Sequence, residues 1–264
     1  FGQGLPDPED TAHYDYSLRT DEIGQLHVSF DEMKSNVKTL RDKNYEKQLL
    51  LRDTNIKMLQ QQINPHFLYN TLDSIAWMCE RGKNADAVQM VHALARLFRI
   101  SISRGHELIP IRSELQHAES YLQIQSHRYK NQFSYEFQVE EDCLQYYCNK
   151  ITLQPIIENA IYHGLDRMVD EGRILIRIYS EGEDVVFRVE DNGVGMSEEQ
   201  CRSILHKEPG DNSGIGIKNV NDRIKIYFGK EYGLSIESEL DEGTTVIIRM
   251  PKVEENAAAG WEKV

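Results

Sequence analysis

Val189-Glu190-Asp191-Asn192-Gly193-Val194-Gly195-Met196 is the stretch on which the architecture of the C-terminal half turns. The residues leading into it, Val185 to Glu190, alternate as a half-buried strand does. The strand then closes on a carboxylate and runs into two glycines. Asn-Gly alone is ordinary turn chemistry. The aspartate and the second glycine go beyond a turn, because a carboxylate can accept from an exocyclic amine and glycines let a flat base approach the backbone. Such a stretch can hold adenine without a dinucleotide-binding loop.

The same alternation recurs on both sides, at Phe133 to Val139, Arg173 to Tyr179, Leu234 to Ser238 and Thr244 to Met250. Helical patterns at Lys150 to His163, Ser197 to Leu205 and Ile217 to Phe228 interleave with these strands. Hairpin-like strand neighbours at 173–190 and 234–250 predict an α+β sandwich rather than a doubly wound sheet. Two more segments of this half carry chemistry. In Gln154-Pro-Ile-Ile-Glu158-Asn159-Ala160 a polar pair interrupts an apolar helix. Asn159 could cap or bridge there, or its amide oxygen could complete a Mg²⁺ shell beside triphosphate oxygens. In Gly210-Asp-Asn-Ser-Gly214-Ile215-Gly216-Ile-Lys218-Asn219 a polar loop becomes a helix, whose amides can cradle phosphates while Lys207 or Lys218 adds charge.

The N-terminal half has helical periodicity. Leu26, Phe30, Met33, Val37 and Leu40 fall at alternating steps of four and three, a coiled-coil seam that weakens toward Leu51 and Met58. Ile63 to Met78 is apolar on more than one face. A turn at Glu80 to Asp86 follows, then a second stripe of Val88, Val91, Leu94, Ala95, Phe98 and Ile102. One helical hairpin cannot cover two apolar faces, so two chains pairing into a four-helix bundle is the expected arrangement. Ser113 with Gln116 reads as a capping box opening a third helix toward Tyr129.

The totals limit the function classes. The 264 residues suit two domains, and 30 basic against 43 acidic side chains give a net charge of -13, which disfavours direct nucleic-acid binding. The four cysteines are spaced neither as a zinc knuckle nor as a redox dithiol, so reduced thiols in the cytosol are expected. No apolar run approaches the roughly 20 residues of a membrane-spanning helix. The chain opens on Phe1 rather than Met, in keeping with the cytoplasmic portion of a truncated membrane receptor.

Taken in order, the three C-terminal segments resemble the ATPase fold shared by gyrase, HSP90, MutL and histidine kinases. By that resemblance Asn159 belongs to the N box and holds Mg²⁺, Asp191 recognises adenine within a first glycine box that includes Gly193 and Gly195, and Gly214, Ile215 and Gly216 form the second glycine box. Residues 203–216 would be a mobile lid, and Gly243-Thr244-Thr245 resembles the strand that closes the adenine pocket, with either threonine contributing. A basic residue often follows the N-box asparagine in related kinases; here Tyr162 and then His163 stand near that place, and His163 is a candidate ATP contact.

Upstream, Gln60-Gln-Gln-Ile-Asn-Pro65-His66-Phe67-Leu-Tyr-Asn70-Thr-Leu72 resembles the phosphoacceptor motif of LytS/YesM-type sensor histidine kinases, and the resemblance runs in order to Pro251. It implies Mg-ATP-dependent autophosphorylation of His66 in a homodimer, then transfer to an aspartate on a response-regulator receiver domain. Pro65 should bend the helix just before His66, and neutral imidazole is nucleophilic near pH 7. Asn70, one turn on, could orient the ring. Phe67 stands where many histidine kinases carry an acid, leaving Glu158 as a candidate base. Pro155 occupies the place of the hydrolytic glutamate of related ATPases, which argues against the alternative of an ATP-hydrolysing conformational machine; a non-catalytic dimeric scaffold is the third alternative. Residues 20–26 resemble the start of a HAMP helix. The expected organisation is an irregular lead-in at 1–20, a HAMP-like remnant and coiled-coil signalling helix at 21–55, dimerisation and phosphotransfer helices at 56–128, an ATP-binding domain at 129–252 and a tail at 253–264.

Overall fold

The computed structural model describes residues 65–102, 107–129, 132–165, 171–206 and 215–255, together with residues 25, 29, 33–39 and 41. The chain divides into two compact units, Phe1–Asn64 and Pro65–Val264. In the first, residues 33–39 are helical with Met33 and Val37 exposed. The rest of the expected seam, the HAMP-like start and the residues before the Pro65 bend lie outside the described residues.

The second unit opens with three helices, α1 (Pro65–Glu80), α2 (Asn84–Ser101) and α3 (Ile111–Arg128). On α2 the buried side is Ala87, Met90, Ala93, Leu94, Leu97 and Ser101. Of the stripe expected to pack, Leu94 is buried and Phe98 packs on the core, whereas Val88, Val91 and Ile102 are 49–54% exposed. Both faces of α2 are apolar, and the chain itself covers only one of them. Tyr69, Leu72 and Trp77 of α1 are exposed as well, so the hairpin presents a second apolar surface.

The expected Ser113–Gln116 capping box is not formed. Helix α3 begins two residues earlier, with Pro110 at its N-cap and no side-chain cap. Its start is set by a short antiparallel ladder of β1 (Leu108–Pro110) with β3 (Tyr147–Asn149) and by the Ile111 N–H, which donates to the Tyr146 carbonyl at 2.8 Å. Pro fixes φ near the value this junction requires.

The remaining strands form one twisted sheet in the order β2 (Phe133–Val139), β4 (Gly172–Glu181), β5 (Asp184–Asp191), β7 (Gly243–Pro251), β6 (Gly233–Glu239). Only β2 with β4 is parallel; β4–β5 and β6–β7 are antiparallel neighbours in sequence. Alternate residues Ile174, Ile176, Ile178, Val185, Phe187, Val189, Val246, Ile248 and Met250 are buried. They share one core with Ile124 of α3, Leu153, Ile156 and Ile157 of α4 (Leu153–Asn159), Ile204 of α5 (Glu198–His206), and Val220 and Ile224 of α6 (Ile215–Phe228). The other sheet face carries exposed charged pairs such as Arg177 with Glu190 and Arg249 with Asp184, each at 3.0 Å. One covered face and one wet face make a two-layer α/β sandwich. Val253 is buried and its carbonyl accepts from the Tyr147 N–H, so the first residue of the expected tail stays in the core.

Candidate functional site

Asp191 ends β5, paired in register with Thr244 of β7. Its Oδ1 accepts from the Gly193 N–H at 2.9 Å, and the backbone N–H of Thr244 supplies a second bond. Burial nevertheless pushes the carboxyl up, from 3.8 to about 6, against the lowering effect of those two bonds. The walls around it are glycine. A Cβ on Gly164 would stand 2.8 Å from Asp191 Oδ1, and one on Gly193 would stand 2.4 Å from the Gly164 Cα. Gly195 has φ +63 and Gly243 φ +115, and a Cβ on either would strike backbone carbonyl oxygen, at 1.8 Å from Glu239 and 2.0 Å from Asp191 respectively. The result is a half-buried carboxylate closely packed by bare backbone.

Gly164 reaches this place through a change of helix pitch. After α4 the chain continues as a π-helical turn, Ala160–Leu165, and the Gly164 carbonyl accepts from the Val194 N–H at 3.1 Å. Opposite, Ser238 Oγ accepts from the Met196 N–H at 2.9 Å, donates to the Gly243 carbonyl at 2.7 Å and lies 2.9 Å from Thr244 Oγ1. Directly paired residues share a sheet face. Thr244 is therefore on the Asp191 side, and Thr245, paired with Glu190, is on the other.

Asn159 closes α4, half-buried, and its side chain has no hydrogen-bond partner among the described residues. Helix α4 is held at its start by Glu114 of α3, which is fully buried and accepts from the N–H groups of Ile151, Thr152 and Leu153 at 2.9, 2.7 and 2.8 Å. Ile151 sits at φ 58, a conformation β-branched residues avoid, and Arg223 Nη2 donates to its carbonyl at 2.8 Å. Gly216, at the start of α6, packs against Pro155, where its Cβ would come within 3.3 Å. Gly214, Lys207 and the side chains of His163 and Ile215 lie outside the described residues.

His66 is exposed in the first turn of α1. Asn70 Nδ2 lies 3.2 Å from His66 Nε2 and 3.3 Å from Nδ1, which places the amide directly beside the imidazole. Phe67 points the other way and is buried, stacked on Tyr121 of α3 with ring centroids 5.3 Å apart. Glu158 lies near this seam: its carboxylate accepts from Gln154 Nε2 at 2.8 Å, and burial raises its pKa. Gly164, Ser238, Glu114 and Tyr121 were not singled out from sequence. A glycine five residues after Asn159, within an otherwise helical run, was the one available hint.

Two family models match the chain in order, "Histidine kinase" over residues 54–133 and "Histidine kinase-, DNA gyrase B-, and HSP90-like ATPase" over residues 148–254. Sensor histidine kinase YesM of Bacillus subtilis is 36% identical over 231 residues, which is 88% of this chain and 39% of that protein. Sensor histidine kinase BtsS of Escherichia coli K12 is 33% identical over 208 residues, 78% of this chain and 35% of that protein. Sensor protein LytS of Bacillus cereus is 32% identical over 206 residues, 77% of this chain and 35% of that protein. The chain thus spans 35–39% of the length of these relatives. Among the described residues no helix is long and apolar enough to cross a membrane. With the two models matched in order, the chain belongs to the histidine kinase family and is similar to sensor kinases of the LytS/YesM type.

Proposed function

We propose that the chain is the catalytic part of a dimeric sensor kinase that phosphorylates itself on His66 with Mg-ATP, then passes the phosphoryl group to an aspartate on a response-regulator receiver domain. Residues 56–128 would serve dimerisation and phosphotransfer, and residues 129–252 would bind ATP. The observation that carries this reading is an exposed imidazole on a helix that packs, through Phe67, against the layer bearing the glycine-walled Asp191.

Asp191 would accept from the adenine amine and Thr244 would line the same side, while Gly164, Gly193 and Gly243 let the surrounding backbone close on that carboxylate. Asn159, with an uncommitted amide, would hold Mg²⁺, which when bound neutralises charge on the phosphates. Gly216 and the preceding glycine box would cradle the phosphates at the start of α6. A lone pair on His66 attacks the γ-phosphorus; the new N–P bond forms as the bond to the β-phosphate oxygen breaks and ADP departs. Asn70 fixes the ring during that attack. The remaining ring proton leaves from the exposed side to water, because Glu158 is largely buried and engaged by Gln154. Glu158 is thus not the base in this account. The exposed stripe on α1 and α2 would be covered by the second protomer.

The whole protein would be a membrane receptor with this chain on the cytoplasmic side, consistent with the greater length of its relatives. Incubation with γ-labelled ATP and Mg²⁺ should give acid-labile, alkali-stable label on the chain and none on His66→Gln; label retained by that variant would overturn the assignment.

A further inference from the structure

Between the phosphoacceptor helix and the N-box helix lies one buried tyrosine. The Tyr121 ring stacks on Phe67, the residue next to His66, at an interplanar angle of 24°. Its hydroxyl is tied, through one amide, to the π-helical turn Ala160–Leu165 that follows α4. Gln125, one turn along α3, donates through Nε2 to the Tyr121 hydroxyl at 2.5 Å and to the Tyr162 hydroxyl at 2.9 Å, and Arg128 Nη1 donates to Tyr162 at 3.2 Å. Tyr162 is thereby turned toward α3. Tyr121 is 1% exposed and Gln125 fully buried, with Gln125 Oε1 left without a partner. Burial and the neighbouring Glu158 hold the Tyr121 hydroxyl protonated, so it remains a donor at any working pH.

We propose that Tyr121 is a positioning residue for the phosphoryl transfer: its ring sets Phe67 and so the His66 turn, while its hydroxyl, through Gln125, sets Tyr162 and so the π-helical turn that carries Gly164 against Asp191. One side chain then fixes the register of nucleophile against phosphoryl donor, and nucleotide binding beside that turn is transmitted to α1 through it. The chemistry supports two separable contacts, an aromatic stack and a buried hydrogen bond. Buried, fully packed aromatic groups move as units with their neighbours rather than independently. This inference rests on the His66 and ATP-site reading above.

The test uses the full chain and two variants that each remove one contact, Tyr121→Phe, which keeps the stack, and Phe67→Leu, which keeps the hydroxyl network. Each should lower kcat for autophosphorylation roughly tenfold, the worth of one buried hydrogen bond or a well-packed ring contact. KM for ATP should stay within about twofold of the parent, and the double variant should lose little more than the worse single one. Losses in kcat matched by rises in KM, strictly additive losses, or no loss would overturn the proposal, since a merely structural role predicts general weakening. An independent arm measures hydrogen exchange at residues 67–71 with and without Mg-ADP. The parent should show nucleotide-dependent protection there, and Tyr121→Phe should bind Mg-ADP normally yet show none. Persistence of that protection in the variant, or its absence in the parent, would also overturn the proposal. Absence of phosphohistidine in the parent would defeat the acceptor assignment instead, and the exchange arm still decides the role of Tyr121.

Discussion

Replacing Asp191 by asparagine should separate the stability of the fold from its affinity for nucleotide, in opposite directions. The folded-state pKa of Asp191 lies above its ordinary value, rising from 3.8 to about 6 through burial. A raised pKa means that ionisation disfavours the folded state: the cost is absent below about 3.8 and complete above about 6. At neutral pH it amounts to about 3 kcal/mol. Asparagine carries no such charge and keeps one oxygen for the Gly193 N–H, but loses the acceptor facing the Thr244 N–H, a loss of about 1 kcal/mol. The variant should therefore be more stable than the parent by about 1–2 kcal/mol at pH 7.5, with no advantage at pH 3.5. Its amide would face the adenine amine donor-to-donor, so ATP affinity should fall by about 1.5–3 kcal/mol, roughly tenfold to a hundredfold or more. In the parent, affinity should fall as pH drops through about 6 and the carboxylate is protonated. Denaturant titration at the two pH values and nucleotide titration by calorimetry measure both halves. A destabilised Asp191→Asn chain that binds ATP as the parent does would refute the reasoning.

Gly195→Ala combines a left-handed backbone with a Cβ 1.8 Å from the Glu239 carbonyl, so it should cost about 2–4 kcal/mol in chemical denaturation. Glu114→Ala leaves three buried N–H groups at the start of α4 unpaired and should cost about 3–5 kcal/mol, with nucleotide binding lost before the helical signal on mild heating. Val91→Glu places charge in the exposed apolar stripe of α2 and should shift the chain from dimer to monomer in analytical ultracentrifugation while leaving ATP affinity unchanged; an unaltered dimer would exclude this face as the interface.

The five long strands were legible because each has five or more residues and one buried face, so period-two alternation is visible to within two residues of the observed ends. The three-residue strands β1 and β3 are too short to show any period. On α2 the periodicity was real but ambiguous: two apolar faces compete, and the sequence stripe straddles them, with Leu94 and Phe98 on the packed side and Val88, Val91 and Ile102 on the exposed one. The α3 start was misplaced because a ladder bond at Ile111, not a side-chain cap, sets it. At the site, Asp191, Gly193 and Gly243 could be seen from turn chemistry and a strand end. Glu114 and Tyr121 could not, since their partners lie 37–39 residues away for Glu114 and, for Tyr121, on a neighbouring helix. A buried carboxylate or hydroxyl on a helix has no local signature; only the packed structure supplies its partner.

The central claim is that His66 is the phosphoryl acceptor, and it is tested most directly by locating the phosphoryl group after reaction with Mg-ATP, by peptide mapping under alkaline conditions. The account predicts an N-linked phosphoryl group on the peptide containing His66 and on no other. A phosphoryl group on a different residue, or continuous phosphate release with an unmodified chain, would contradict it.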